Sequence, residues 1–448
     1  EIRQTLGKRP RGMTLCASSW DASLVTSFQT CGMEYVVLDS SLIPPAKQSY
    51  LPVIMFDRGK SVTIVPVYRK HKPSLDVPAE EYLASLFAAV KKSVRGDAYD
   101  AASSERFVDI QLTHAEFQKL LQSGYLQKLA DSASAQFSGT LRFSYPGAYL
   151  KTAGARVPAF ITAGIDAEIA QWAKVPYTAV TKSDGYPVTI YDFLQTYPES
   201  QALCNRMLYV SMLANQCHGD KARKKVAREK LWAAQSGEGF VSTASSPLVR
   251  AAYRRIAFKN LSEAEKIIRE CSEFEEAASR FDYNADGIDE YMFRMTGFTA
   301  CITRIDGAIS ELDIMQGAGN YADNLSRMEA FDGCTDDYVR SLFIDYILSD
   351  TDVKGYVQGK CENRETFLRA QYTEQKFSPQ HKEVQLLFSG EFGEKKQALS
   401  VRKKYAANSN GFTLQYIVKN ESAEALRADF VVESNFAQAN YDPVDFTP

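Results

Sequence analysis

Apolar positions in the first 195 residues switch between strand-like and helix-like spacing. Tyr35-Val36-Val37-Leu38-Asp39 and Val62-Thr63-Ile64-Val65-Pro66-Val67 read as buried strands, and Phe107-Val108-Asp109-Ile110 as another. Between them, Ala79 to Val94 carries Tyr82, Leu83, Leu86, Phe87 and Val90 at the spacing of one helix face. Phe117, Leu120, Leu121 and Leu126 predict a further helical stripe. Strands alternating with helices imply parallel pairing, and so an α/β sheet or barrel over 1–195.

The pattern then changes twice. Residues 196–279 are almost wholly helical in spacing. One helix starts at Pro198 and a basic one covers Asp220 to Ala234. A third runs from Pro247 to about Ala278, with Asn260-Leu261-Ser262 as a possible break. From 280 to 448 short alternating runs dominate, among them 290–295, 298–303, 308–313, 384–389, 399–405, 412–418 and 430–433. Asn410-Gly411 and Asn420-Glu421-Ser422 mark turns. Three domains follow, α/β then helical bundle then an all-β antiparallel sandwich.

Composition narrows the function classes. A net charge of −3, from 52 basic and 55 acidic residues spread without regional bias, gives nucleic acid no electrostatic footprint. The basic run Lys221-Ala222-Arg223-Lys224-Lys225 reads as a solvated helix face. No apolar run reaches the length of a membrane span, and no signal peptide is visible in a chain that starts at Glu1. The eight cysteines are scattered without a Cys-x-x-Cys pair, which predicts reduced thiols in a cytoplasm. None of the four histidines sits at zinc-ligand spacing.

Candidate chemistry lies in a few places. Asp282-x-Asn284-x-Asp286-Gly287-x-x-Glu290 sets oxygen donors at alternate positions, with the Ile288 carbonyl as a further donor, a pattern suited to a structural Ca²⁺. A self-bonded Asx-rich turn explains the same residues. Asp39 ends a barrel-type strand, where it can bind sugar hydroxyls or cap a helix. Trp20 can stack on a sugar ring or pack in the core; Trp172 and Trp232 default to packing. Ser18 and Ser19 beside Cys16 have no histidine partner motif, so a nucleophile reading there is weak.

Several motifs resemble glycoside hydrolase family 57, the 4-α-glucanotransferases and α-amylases. Tyr197-Pro198-Glu199-Ser200 with Asn205-Arg206-Met207-Leu208-Tyr209-Val210-Ser211 is similar to one family run. Asp282 to Glu290 with Gly307-Ala308-Ile309-Ser310-Glu311-Leu312, and Asn320 to Glu329, are similar to others. The resemblance implies a partial (β/α)7-type barrel, then a helical domain and a β-sandwich. It also implies a retaining pair of carboxylates about 5 Å apart. The nucleophile motif, Trp-Leu-x-Glu-Arg-x-Trp, aligns with Leu15-Cys16-Ala17-Ser18-Ser19-Trp20, so Ala17 stands at the nucleophile position. The acid/base region aligns near Asp109, a remnant without its flanking turn, and Gly239-Phe240-Val241-Ser242 replaces a Tyr-Trp-His-Gly loop. The family's His-Gln-Pro strand would precede residue 1; if the chain truly begins at Glu1, exposed sheet edges would need covering by another chain, whereas a missing N-terminal segment explains the same fact more cheaply.

The implied function is a glycosidase-like pseudoenzyme, a scaffold or interaction component for protein partners, a second copy of itself, or α-glucan. The alternative is an active retaining 4-α-glucanotransferase or α-amylase. Neither reading calls for an organic cofactor.

Overall fold

The computed structural model describes residues 2–15, 18–94, 105–166, 169–170, 188–240, 251–271, 274–324, 338–357, 370–393 and 395–437. The chain divides into two compact units, Glu1–Thr196 and Tyr197–Pro448.

The first unit is built on a five-stranded sheet in the order β1-β2-β4-β3-β5. Its strands are β1 (Gly12–Thr14), β2 (Tyr35–Asp39), β3 (Val53–Asp57), β4 (Lys60–Val67) and β5 (Val157–Pro158). Strands β1, β2 and β4 run parallel, as the alternation predicts. Of the expected partial (β/α)7-type barrel, the described residues form an α/β sheet in which β3 runs antiparallel to β4. The cause is local. Arg58 and Gly59 both take positive φ (46° and 77°), the two-residue turn that closes a tight hairpin. Helices α1 (Ile2–Leu6), α2 (Leu24–Thr30), α3 (Ala79–Val94), α4 (His114–Gln122), α5 (Tyr125–Gln136), α6 (Pro146–Thr152) and α7 (Ile190–Thr196) complete the unit. Val25 and Phe28 of α2 pack on Val36, Leu38, Val62 and Ile64, so one face of the sheet is sealed. The other face carries Val37, Val65 and Val67 under Tyr35, Phe107 and Leu150.

In the second unit, α8 (Pro198–Gln216), α9 (Lys221–Ala234) and α10 (Ala251–Cys271) form the helical section. Asn260-Leu261-Ser262 does not interrupt α10, because the Asn260 amide returns to the Ile256 carbonyl and the buried Ser262 hydroxyl donates to Asp313. Two antiparallel sheets follow. The first has the order β16-β11-β9-β8-β7-β6, with β10 beside β9; the second is β12-β13-β14-β15. Their strands are β6 (Ala277–Phe281), β7 (Glu290–Arg294), β8 (Phe298–Ile302), β9 (Ile309–Ile314), β10 (Gly319–Asn320), β11 (Leu342–Leu348), β12 (Thr373–Ser378), β13 (Glu383–Phe392), β14 (Gln397–Asn408), β15 (Gly411–Asn420) and β16 (Asp429–Ser434). The short helix α11 (Asp350–Val357) follows β11.

Tyr291, Phe293 and Leu342 of one sheet share a core with Val384, Leu386 and Tyr405 of the other, a sandwich. A border at 279/280 is not visible in this unit. Leu203, Phe258 and Leu261 pack with Met292 and Cys301 of the strands. Arg206 of α8, fully buried, pairs with Glu265 of α10 at 2.6 Å and with Asp313 of β9 at 3.3 Å. Helices and strands are thus joined by one core and one buried ionic network.

Candidate strand-end site

Because β1, β2 and β4 are parallel, their C-terminal ends open at one edge of the sheet. Asp39 ends β2 and is 6% exposed. One of its oxygens accepts the Ser41 backbone N–H at 2.8 Å, capping a short 3₁₀ turn. The other receives Arg69 Nε at 2.6 Å, just past the end of β4. The same guanidinium also pairs with Asp166, which is as buried as Asp39. Arg69 itself stays about half open to solvent, with 46% of its side chain accessible. Two buried carboxylates thus share a cation with a wet face, which offsets part of their desolvation. The loop after β1 joins them: Ser18 Oγ accepts the Asp39 N–H at 3.3 Å, and Ser18 takes φ 45°, an uncommon conformation for a non-glycine residue.

Asp109 enters the same face by register. Asp39 pairs with Val67, and Val67 pairs in parallel with Asp109, whose carbonyl accepts the Tyr68 N–H at 3.1 Å. Paired residues project to the same side, so Asp39, Val67 and Asp109 form a row across the strand ends. Their outer members are about 9.5 Å apart at Cα, two strand spacings. A retaining pair needs carboxyls about 5 Å apart, and Asp39 is already turned to Ser41 and Arg69. Asp39 is therefore not a free second carboxylate. Burial pushes the Asp109 carboxyl up to about 6, against a single backbone hydrogen bond from Ile110 that lowers it.

Residues 334–446 match the family described as "Alpha-amylase/4-alpha-glucanotransferase, C-terminal". Across 96% of the chain and 70% of the relative, the sequence is 23% identical to an α-amylase of Pyrococcus horikoshii. It is 23% identical to a 4-α-glucanotransferase of Thermococcus litoralis over 73% of the chain, spanning 50% of that enzyme. The crystal structure of 4-α-glucanotransferase from the same organism superposes with a TM-score of 0.74 at 21% identity, covering 97% of this chain and 71% of that one. The chain is thus similar to α-amylases and 4-α-glucanotransferases, with the family match at residues 334–446.

Ala17, expected at the nucleophile position, lies outside the described residues, as does Trp172. Trp20 sits in the core at 2% exposure, packed on Phe28, with its indole N–H donating to the Ile161 carbonyl at 3.1 Å. No ring face is open there for a sugar. Trp232 departs from the expected packing: it is 61% exposed on α9. The basic run on α9 faces solvent, as its spacing predicts. Ser18 has the Asp39 amide as its partner, while His71 Nε2 is engaged with Tyr50 Oη at 2.8 Å, so no Ser–His dyad forms between them.

The 282–290 loop closes on itself. Asp282 accepts from the Asp286 and Gly287 N–H groups, Asp286 from Ile288, and Glu290 from Tyr283. The Asn284 amide nitrogen donates to the Asp286 and Glu290 carboxylates at 3.0 and 3.1 Å, while its oxygen accepts the Asp286 N–H at 2.9 Å. Among the described residues no three His, Cys, Asp or Glu side chains are grouped to hold a metal ion. These bonds are those of a self-bonded Asx-rich turn.

Two members of the strand-end cluster escaped the sequence reading. Arg69 directly follows Tyr68 at the end of a strand that was recognised, so the strand-end rule reaches it. Asp166 follows Gly164, which bridges Trp20, in a stretch with no periodic signal.

Proposed function

We propose that the strand-end cluster of the first unit binds α-glucan and does not carry out the covalent step of a retaining glycosidase. The observation that carries this reading is the row Asp39–Val67–Asp109, with Arg69 tying Asp39 to Asp166. A partly open guanidinium between carboxylates presents donors and acceptors to sugar hydroxyls. Ala17, aligned with the nucleophile, has a methyl group and cannot form a glycosyl ester. The similarity to α-amylases and 4-α-glucanotransferases supports the α-glucan ligand class. A role as a scaffold for protein partners or a second copy of the chain, in the cytoplasm, belongs to the same proposal.

A second reading, an active glucanotransferase or amylase, is favoured by one observation. A carboxyl raised to about 6 is tuned as a general acid–base group needs to be. Both readings meet in one experiment with maltoheptaose. Titration calorimetry on the full chain is expected to show binding that Arg69→Met weakens at least tenfold. Product analysis is expected to show neither hydrolysis nor chain redistribution. Turnover that Asp109→Asn abolishes would overturn the inactive reading, and an absence of binding heat would overturn the glucan-binding one.

A further inference from the structure

Two cysteines far apart in sequence meet at one end of the helical section. Cys217 caps the C-terminus of α8 and is buried; Cys271 is the last residue of α10 and is half-buried. Cys217 belongs to the helical core and Cys271 packs against it, with Cys217 among the neighbours that raise the Cys271 thiol. The backbone around them is drawn close independently of the thiols. A Cβ added at Gly219 would fall 2.4 Å from the Cys271 carbonyl oxygen and 3.8 Å from the Cys271 Cβ. Side chains of α9 pin both ends: Lys224 Nζ donates to the Cys217 carbonyl at 2.7 Å and Arg223 donates to the Glu270 carbonyl at 3.0 Å.

A disulfide needs Cα atoms within roughly 4.4–6.8 Å and side chains that face each other. We propose that Cys217 and Cys271 form a reversible disulfide, a redox-responsive staple between the ends of α8 and α10. The oxidant is a small-molecule disulfide such as oxidised glutathione. The Cys271 thiolate, more accessible, attacks one of its sulfurs and releases one thiol, leaving a mixed disulfide. The Cys217 thiolate then attacks the Cys271 sulfur, breaks the mixed bond and releases the second thiol. Two protein thiols are oxidised, one disulfide is reduced, and two protons pass to the two departing thiolates. Burial and the neighbouring Cys217 hold the Cys271 thiol above its ordinary range, so the reaction accelerates as pH rises. In a reducing compartment such a bond is transient and reports redox state.

The test is mass mapping of the full chain after incubation in graded glutathione buffers and alkylation. The expected product is a peptide joining Cys217 to Cys271, with two hydrogens lost and reversal by dithiothreitol. The melting temperature should rise by about 5–10 °C in the same buffers. Cys217→Ser and Cys271→Ser should each abolish both changes while melting as the reduced parent does. If these variants fail to fold, the map of the unaltered protein decides alone. Full alkylation of both thiols in the most oxidising buffer, arrest at a glutathione adduct on Cys271, or pairing of Cys217 with another cysteine would each overturn the proposal.

Discussion

Single charged groups in this molecule are set by what surrounds them, and Asp109 shows how. Its carboxyl, raised to about 6, is protonated in both folded and unfolded chains below about pH 4. Between about pH 4 and 6 the unfolded chain releases the proton while the folded one retains it, so stability falls as pH rises through that window. Above about pH 6 the cost is fully present. Asp109→Asn should therefore stabilise the first unit by on the order of 2 kcal/mol at pH 7.5 and scarcely at pH 4. Urea unfolding at the two pH values measures it; equal effects at both would refute the buried-carboxyl account. Asp39 was legible because strand ends collect functional groups in parallel sheets, and Asp109 only through the resemblance to the family's acid/base region. Their separate fates were not, since the partner that occupies Asp39 comes from another strand end. Trp20 was ambiguous for the same reason: whether an aromatic faces a cleft or a core depends on Ile161 and Phe28 arriving from elsewhere in the chain.

Elements were legible where period and punctuation agreed. The helix expected over Ala79 to Val94 runs over those residues, and Asp220 caps α9 through the Ala222 N–H at 2.8 Å. The Asn410-Gly411 signal marks a hairpin in which Asn408 pairs with Gly411. What the pattern missed was pairing direction: the Arg58-Gly59 turn sends β3 back along β4, and no periodicity encodes that choice. The 282–290 loop shows a different limit, because a cation loop and a self-bonded loop use the same oxygen-bearing residues. Gly287 sits at φ +87° with open space where a Cβ would be, so Gly287→Ala meets no neighbour and bears only the backbone penalty. That substitution should cost about 1 kcal/mol in chemical denaturation. Millimolar Ca²⁺ should leave the melting temperature of the unaltered protein unchanged. A calcium-dependent rise that Gly287→Ala diminishes would show that the loop reorganises around the ion.

At the scale of the whole molecule, each unit has its own core and its own buried charge, so each should report its own damage. In the second unit Lys403 is fully buried, pairs with Asp345 at 2.6 Å and donates to the carbonyls of Asp306, Gly307 and Phe343. Tyr372 and Tyr416 also donate to Asp345. Lys403→Met leaves that carboxylate without its cation and takes one donor from each of three carbonyls, of which that of Gly307 keeps the Tyr405 hydroxyl, a loss of about 3–5 kcal/mol. In the first unit Arg69→Met removes the cation that Asp39 and Asp166 share, at a smaller cost of about 2–3 kcal/mol because water reaches the guanidinium. Scanning calorimetry of the full chain should then resolve two transitions. Lys403→Met should lower one of them by about 10 °C and Arg69→Met the other by about 5–10 °C, each leaving its counterpart in place. The assignment can be checked without relying on the variants' activity: maltoheptaose, if held at the strand ends of the first unit, should raise only the transition that Arg69→Met lowers. A single transition shifted by both substitutions would mean that the two cores melt as one cooperative body, and that ligand bound at the sheet of the first stabilises the sandwich of the second.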